Sequence, residues 1–141
     1  PANLGRSLRQ FFHPVDAFIQ ANMMNPELQE YVMPLAKAFA KLQQGTAMLG
    51  EKGMKNPDEA GAASTEYLRM FGIVALGFMW AQMAKIAKEK LAEGAEDKAF
   101  FETKLVTARF FFERVVPDVS SLLIKMSAGS NTMMELDAEA F

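Results

Sequence analysis

The sequence predicts an all-α protein, an antiparallel four-helix bundle with long, proline-kinked helices. Apolar residues recur at alternating steps of three and four along four long segments, which is the period of a helix with one buried face. No segment alternates with the period of two that a half-buried strand would show. The connections are short, and short connections place successive helices antiparallel.

The first predicted helix covers residues 3–24. Pro14 lacks a backbone donor and crowds the preceding turn, so we expect a kink or a restart near His13. Asn25 followed by Pro26 predicts the next helix start, because asparagine caps helices and proline suits their first turn. The apolar stripe of this helix is Leu4, Leu8, Phe11, Val15 and Phe18.

The second helix is predicted to run to about Leu49, with a bend at Pro34. Residues 50–53 and 55–58 are rich in turn-forming residues and predict the one clear loop of the chain. The stripe of this helix keeps a strict alternation over three heptads, which is typical of a bundle seam. Its members are Leu28, Val32, Leu35, Phe39, Leu42, Thr46 and Leu49.

The third helix is predicted to begin near Pro57 or Ser64 and to end at about Glu93, before Gly94. Residues 67–87 are its longest nearly uncharged run, and two apolar stripes place it at the centre of the bundle. The stripe expected to face a partner helix is Leu68, Phe71, Ala75, Phe78, Gln82 and Ile86. The stripe beside it is Met70, Val74, Gly77, Ala81 and Ala84.

The same run is long enough to suggest a membrane span, which needs about 20 predominantly apolar residues. Arg69, Gln82 and Lys85 interrupt it, so we predict a buried core helix and no membrane span. Gly72, Gly77 and Ala81 have little bulk and are expected to let a neighbouring helix approach closely.

The fourth helix is predicted over residues 96–128, with a kink at Pro117, an extended Val116 and a stop at Gly129. A short acidic turn over residues 131–138 and an exposed Phe141 follow. The seam of the fourth helix is Phe101, Leu105, Ala108, Phe112, Val115, Val119, Leu122 and Met126. Of the methionines, Met70, Met79, Met83 and Met126 fall on apolar stripes and are predicted to fill the core.

Length and composition predict a single helical-bundle domain over residues 1–141. Fifteen basic and seventeen acidic residues give a net charge of -2, and without a basic block nucleic acid is not an expected partner. The chain has no cysteine, which excludes disulfides, thiolate zinc sites and a cysteine nucleophile. This composition fits a reducing compartment, and we predict a cytoplasmic protein.

No catalytic, cofactor-binding or metal-ligating residue is predicted. The chain has one histidine, His13, and Gln10 precedes it by three positions, so the Glu-x-x-His pairs of di-metal bundles do not occur. Gly50 and Gly53 form no phosphate-binding motif and indicate a turn. Acid–base candidates on the fourth helix are Glu102, Glu113 and Asp118.

The simpler interpretation of these carboxylates is structural. Arg109 and Glu113 lie four residues apart and are predicted to pair along the helix. Phe110, Phe111 and Phe112 point in three directions at steps of 100°, so at least one is expected to reach a second surface, on a parent protein or a dimer partner.

Three stretches carry a resemblance to a known family. They are Tyr-Leu-Arg-Met-Phe-Gly at 67–72, Thr-Ala-Arg-Phe-Phe-Phe-Glu-Arg-Val-Val-Pro at 107–117, and the ending from 128–131 through 134–137. The chain resembles the C-terminal helical domain of bacterial acyl-CoA dehydrogenases, in a subgroup similar to 3-methylmercaptopropionyl-CoA dehydrogenase.

The resemblance implies a C-terminal fragment of a larger FAD-dependent enzyme that oxidises acyl-CoA to 2,3-enoyl-CoA. In such enzymes the flavin, the CoA groove and the glutamate base belong to the preceding domains. The fragment itself would be non-catalytic and hold no cofactor, pack on those domains and support a homo-oligomer of the parent. Arg69 and Arg109 could anchor it through charge pairs. The alternative is a module that binds acyl chains or a membrane surface.

Overall fold

The computed structural model describes residues 2–140, and throughout this part of the chain there are helices and turns but no strand. The long helices are α1 (Ala2–Asn22), α2 (Gln29–Lys55), α3 (Pro57–Ala92), α4 (Lys98–Arg114) and α5 (Asp118–Ser127). Short elements are the 3-10 turns Pro26–Leu28 and Ala138–Ala140 and the helix α6 (Asn131–Met134). The all-α bundle is confirmed. The side chain of Leu4 and the residue Phe141, both named above, lie outside the described residues.

The helices alternate in direction. Phe11 and Phe18 of α1 contact Phe71 and Phe78 of α3, with ring centroids 4.5 and 5.6 Å apart, so α1 and α3 run parallel. Two contacts along α2 show that it runs opposite to both: Gly45 faces Met70, and Leu35 faces Gly77. The last pair of long helices, α4 and α5, runs alongside α2.

One asparagine–proline pair begins the 3-10 turn that leads into α2, and another begins α3. The Asn25 side chain accepts a hydrogen bond from the Glu27 amide at 3.0 Å, and the Asn56 side chain accepts one from the Asp58 amide at 2.9 Å. Each cap satisfies a backbone donor that has no partner within the helix. The predicted start at Asn25 is confirmed, although the first turn is a 3-10 turn.

The loop predicted over residues 50–53 is wrong, because α2 continues through both glycines to Lys55. A glycine inside a helix costs only about 1 kcal/mol relative to alanine, which the contacts of a long helix can offset. The residue before a proline is instead pushed out of helical geometry. Asn56 accordingly has φ -154° and ψ 117°, and the connection is this one residue.

The three interior prolines behave differently. Helices α1 and α2 continue through Pro14 and Pro34 without a break, so the restart expected near His13 does not occur. The predicted fourth helix does divide at Pro117, into α4 and α5. Here the amides of Val115 and Val116 both donate to the Phe111 carbonyl, at 2.9 and 3.0 Å. Val116, expected to be extended, lies in the resulting turn.

A glycine follows the C-terminal end of α3 and of α5, as predicted. Gly94 and Gly129 have φ of 79° and 78°, in the left-handed region that glycine occupies without steric cost. Beyond Gly94 the Ala95 amide returns to the Lys90 carbonyl at 3.0 Å. The predicted ends of α3 and α5 are therefore confirmed.

The core lies between α2, α3 and the α4–α5 pair. The α2 stripe is buried from Leu28 to Leu42, and the α4–α5 seam is buried at most positions, with its first members half-buried. The largest side chains that are fully enclosed are Tyr31, Leu28, Leu35, Leu42, Met70, Met126, Val15, Val32, Val74 and Val119. The methionine prediction is confirmed for Met70 and Met126 and wrong for Met79, which is 54% exposed.

Only one of the two stripes predicted on α3 is buried. Met70, Val74, Gly77, Ala81 and Ala84 all face the core. The stripe expected to face a partner divides: its aromatic members, Phe71 and Phe78, pack against α1. Its remaining large members, Leu68 and Ile86, are exposed.

The small residues of α3 that were expected to admit a neighbouring helix also differ in whether a neighbour contacts them. A side chain at Gly77 would meet Phe112 at 3.5 Å and Leu35 at 3.6 Å, so this glycine admits its neighbours as predicted. Ala81 is buried. A side chain at Gly72 would meet no atom within 4 Å, so the close approach expected there does not occur within the described residues.

By length and composition alone, α3 could cross a membrane. Its most apolar window of 18 residues has a mean hydropathy of 1.5, and 33% of that window is buried in the bundle. A core helix of a water-soluble protein passes the same test. Residues of α3 outside the buried stripe are half-buried, as Phe71 and Phe78 are, or exposed, as Leu76 and Met79 are.

Candidate functional site

An ion pair joins the beginning of α2 to the middle of α4. Arg109 donates from Nε and Nη2 to the two carboxylate oxygens of Glu30, at 3.2 and 3.3 Å. The Arg109 side chain holds the pKa of Glu30 below its ordinary value, chiefly through this hydrogen bond. Glu30 in turn raises the pKa of Arg109. The predicted pairing of Arg109 with Glu113 is wrong, because a carboxylate from α2 offers both its oxygens to the guanidinium.

Tyr31 lies directly beneath this pair. Its ring packs edge-on against Phe112, with centroids 6.2 Å apart, and the residue is completely buried. Its hydroxyl lies close to the Glu30 carboxylate but makes no hydrogen bond of regular geometry among the described residues. Burial, and after it the neighbouring Glu30 carboxylate, raise the pKa of Tyr31 to about 12. The phenol is therefore neutral at physiological pH and is a poor proton donor.

A second carboxylate, Glu59, ties the first turn of α3 to the segment after α5. It accepts hydrogen bonds from the hydroxyl and, at 3.1 Å, from the backbone amide of Ser130. These hydrogen bonds, the hydroxyl first, lower the pKa of Glu59. Both Ser130 donors are used here, so the contact closes the end of the bundle.

The acid–base candidates of the sequence are not brought together. Glu102 and Glu113 are eleven residues apart on α4, which corresponds to roughly 16 Å along the helix axis. Glu102 lies 3.9 Å from Lys98 in an exposed pair. Asp118 begins α5 and lines a surface hollow with Arg69 and Lys125. Each carboxylate is exposed, and no pair of them flanks a common cleft.

His13 is exposed on α1, where it lines an open depression with Arg6, Arg9 and Gln10. Within residues 2–140 no three or more histidine and carboxylate side chains come close enough to hold a metal ion. Gly50 and Gly53 are helical, so neither forms the anion-binding loop that a phosphate site requires.

The hollows on the bundle are shallow. One between α2 and the α4–α5 turn has a volume of about 140 Å³ and is lined by Pro34, Lys37, Lys41, Phe112 and Val116 among others. Ligand-binding clefts usually measure about 300–1,000 Å³. The wider depression at His13 is bounded by residues of a single helix, so it offers a ligand no opposing wall.

Sequence reasoning missed the two carboxylate contacts described above, Glu30–Arg109 and Glu59–Ser130. They join residues 79 and 71 positions apart. The sequence contained one local indication of these contacts: Glu59 lies in the first turn of α3, where negative charge is favourable.

Comparison with known proteins identifies the relatives of this bundle. Over 97% of its length the chain is 26% identical to the broad-specificity linear acyl-CoA dehydrogenase FadE5 of Mycobacterium tuberculosis, covering 24% of that protein. Over 97% of its length it is also 32% identical to the butyryl-CoA dehydrogenase of Syntrophomonas wolfei, covering 23% of it. The chain thus spans about a quarter of the length of these relatives.

The family model described as "Acetyl-CoA dehydrogenase C-terminal like" matches residues 11–137. This match begins within α1 and ends just after α6, so it includes the core seams of α2, α3 and the α4–α5 pair. It covers the stretches at 67–72 and 107–117 on which the resemblance was based. The chain therefore belongs to the C-terminal helical domain family of the acyl-CoA dehydrogenases.

Proposed function

We propose that the chain is the non-catalytic C-terminal helical module of an FAD-dependent acyl-CoA dehydrogenase, here called the parent enzyme. In this proposal the bundle covers residues 1–141 as one domain, packs on the catalytic body and supports subunit association in the cytoplasm. The observation that carries the proposal is the family match over 11–137 combined with coverage of only a quarter of each relative.

The side chains support a non-catalytic role. Oxidation of an acyl-CoA needs a base for the α-proton and a flavin to accept the hydride. The carboxylates Glu102, Glu113 and Asp118 are exposed and dispersed, and the buried Tyr31 has a raised pKa. The apolar stripes that could hold an acyl chain are largely used by the core of the bundle.

The catalytic part of the proposal is tested in the whole parent enzyme with Glu102→Gln, Glu113→Gln and Asp118→Asn. Because a general base contributes about 100-fold or more to rate, loss of that size in any variant would exclude a purely structural role. We expect kcat to stay within about twofold of the unchanged enzyme. Flavin absorbance of each variant controls for folding.

The association part is tested by removing residues 1–141 from the parent enzyme and measuring subunit number by light scattering. We expect fewer subunits per particle in the shortened enzyme. Flavin content shows whether its catalytic body is still folded. An unchanged subunit number in a flavin-containing shortened enzyme contradicts the association role.

An alternative function is binding of acyl chains or a membrane surface, and the exposed side of α3 is the observation that favours it. The charges near the end of that side weigh against it, because they form balanced pairs, Lys85–Glu89 and Lys90–Glu93, whereas membrane-surface helices carry a basic face. This alternative requires saturable binding of long-chain acyl-CoA or liposomes, which calorimetric titration measures.

A further inference from the structure

The outward side of α3 is apolar along most of its length. We define the α3 outer face as Leu68, Gly72, Leu76, Met79 and Ile86. These positions recur at steps of three, four and seven, so they lie on one side of the helix, opposite the buried stripe. The four large side chains are 69%, 47%, 54% and 51% exposed. Fixed charge is absent from this face over almost 20 residues.

Single exposed apolar residues are ordinary, but a continuous stripe of them is not. Beyond Ile86 the face continues into a shallow groove of about 130 Å³ against α4, lined by Met83, Ala87, Phe100, Phe101 and Lys104, whose ammonium lies 5.1 Å from the Phe100 ring centroid. Phe100 is itself 49% exposed. The apolar surface therefore extends from α3 onto a second helix, as the surface of an interface does.

Gly72 is the small member of the α3 outer face. It lies in the centre of a long helix, where glycine is unfavourable relative to alanine, and nothing in the bundle occupies the space beside it. Gly77, by contrast, is filled by Phe112 and Leu35. Gly72 leaves a notch in the outer face that a group outside the described residues can enter.

We propose that the α3 outer face is covered by the preceding domains of the parent enzyme. This inference rests on the proposed function and names the surface through which the module docks. The relatives contain roughly three times as much further polypeptide as the matched part. Covalent linkage gives such a segment a high effective concentration at this face, an advantage that a second copy or a membrane lacks.

The position of α1 supports this occupant. Its contacts with Phe71 and Phe78 place it along one edge of the α3 outer face, running parallel to α3. Polypeptide that joins the bundle through the start of α1 is therefore beside the Leu68 end of the face. At the other end, Lys90–Glu93 and Lys98–Glu102 form a rim of mixed sign, which suits a protein surface that is apolar in the centre and polar at its edge.

The test measures thiol accessibility in the folded, full-length parent enzyme. Leu68→Cys places a thiol on the outer face, and Ile124→Cys places one on α5 at a matched exposure, 69% against 71% in the bundle. Met54→Cys, at a position 90% exposed, is a second control. Maleimide labelling is followed by mass spectrometry of the peptide that contains each position, so cysteines elsewhere in the parent do not interfere.

We expect Leu68→Cys to react at least roughly fivefold more slowly than both controls, because a covered thiol reacts only when the interface opens. All three should react alike after denaturation in urea. A smaller difference in the folded enzyme overturns the proposal. If Leu68→Cys lowers the flavin content, Met79→Cys gives the same measurement at a second position on the face.

Two further conditions separate the occupants. Protection that is lost when the enzyme is diluted to single subunits assigns the face to a second copy, and protection that requires added liposomes assigns it to a membrane; either result overturns the proposal. The tests of the proposed function have different readouts, subunit number and kcat. Suppose that Leu68→Cys is protected in the full-length enzyme and that removal of residues 1–141 leaves the subunit number unchanged. This inference then stands, and only the association role is excluded.

Discussion

The two tyrosines of the chain show how the surroundings of a single hydroxyl decide its contribution. The Thr46 hydroxyl donates its one hydrogen to the Leu42 carbonyl at 2.8 Å, so it accepts from the Tyr67 hydroxyl, which lies 2.8 Å away. Tyr31 is more deeply buried, yet its hydroxyl, although close to the Glu30 carboxylate, makes no hydrogen bond of regular geometry among the described residues. A buried polar group without a partner costs about 1–3 kcal/mol, whereas a satisfied one contributes about 1 kcal/mol.

We therefore expect Tyr67→Phe to lower the free energy of unfolding by about 1 kcal/mol, and Tyr31→Phe to leave it unchanged or raise it. Denaturant unfolding of the two variants measures both effects with the same chemical change. A larger loss for Tyr31→Phe than for Tyr67→Phe would contradict this prediction.

The raised pKa of Tyr31 adds a dependence on pH. Below pH 10 the phenol is neutral in both the folded and the unfolded state. Between 10 and about 12 only the unfolded state releases the proton, so the free energy of unfolding falls as the pH rises. Tyr31→Phe should lack this particular contribution, which comparison of the two unfolding profiles over that range detects.

At the scale of elements, α2 and α4 are joined by the bidentate contact of Glu30 with Arg109 in addition to apolar packing. The side chains are 43% and 46% exposed, so solvent screens their attraction and the pair contributes modestly. Its geometry is nevertheless better than that of the other ion pairs, which are 3.5–3.9 Å apart with a single oxygen. It therefore helps to fix how α4 lies on α2.

A double-mutant cycle with Glu30→Ala and Arg109→Ala should give a coupling free energy of about 0.5–1 kcal/mol at neutral pH. Because Arg109 lowers the pKa of Glu30, this stability is present above the ordinary pKa of a glutamate and is lost as the pH falls through the lowered value. The exposed pair Lys98–Glu102 is the control, and its coupling should be smaller. Equal coupling free energies in the two pairs would contradict the prediction that Glu30–Arg109 contributes more than an exposed pair within one helix.

Over the whole molecule, the core and the α3 outer face are both apolar but differ in what surrounds them. Phe112 is enclosed by Tyr31, Phe111 and the close approach at Gly77. Leu68 projects from the bundle with most of its surface exposed. Truncation to alanine therefore creates a cavity at Phe112 and none at Leu68.

Accordingly, Phe112→Ala is expected to lower the free energy of unfolding of the chain by about 3–5 kcal/mol. Leu68→Ala should change it by less than about 0.5 kcal/mol. Thermal or denaturant unfolding of the two variants makes the comparison. A cost at Leu68 that approaches the cost at Phe112 would show that the outer face is buried even in the isolated chain, by self-association.

The sequence by itself determined the all-α class, the start at Asn25, the stops at Gly94 and Gly129, and the seams of α2 and of the α4–α5 pair; of the two starts that it left open for α3, near Pro57 or Ser64, the structure has the first. These features depend on interactions within a few residues: a cap, a left-handed glycine, a repeated apolar period. The motifs at 67–72 and 107–117 likewise indicated the family that the comparison then identified.

Tertiary structure decided the rest. Periodicity shows that a side of α3 is apolar, but burial requires a neighbour, and only the packing of α2 and the α4–α5 pair against α3 selects which apolar side has one. Tertiary packing likewise gives Arg109 a partner 79 positions away. These outcomes depend on distances between segments remote in the chain, and local residue patterns contain no measure of those distances.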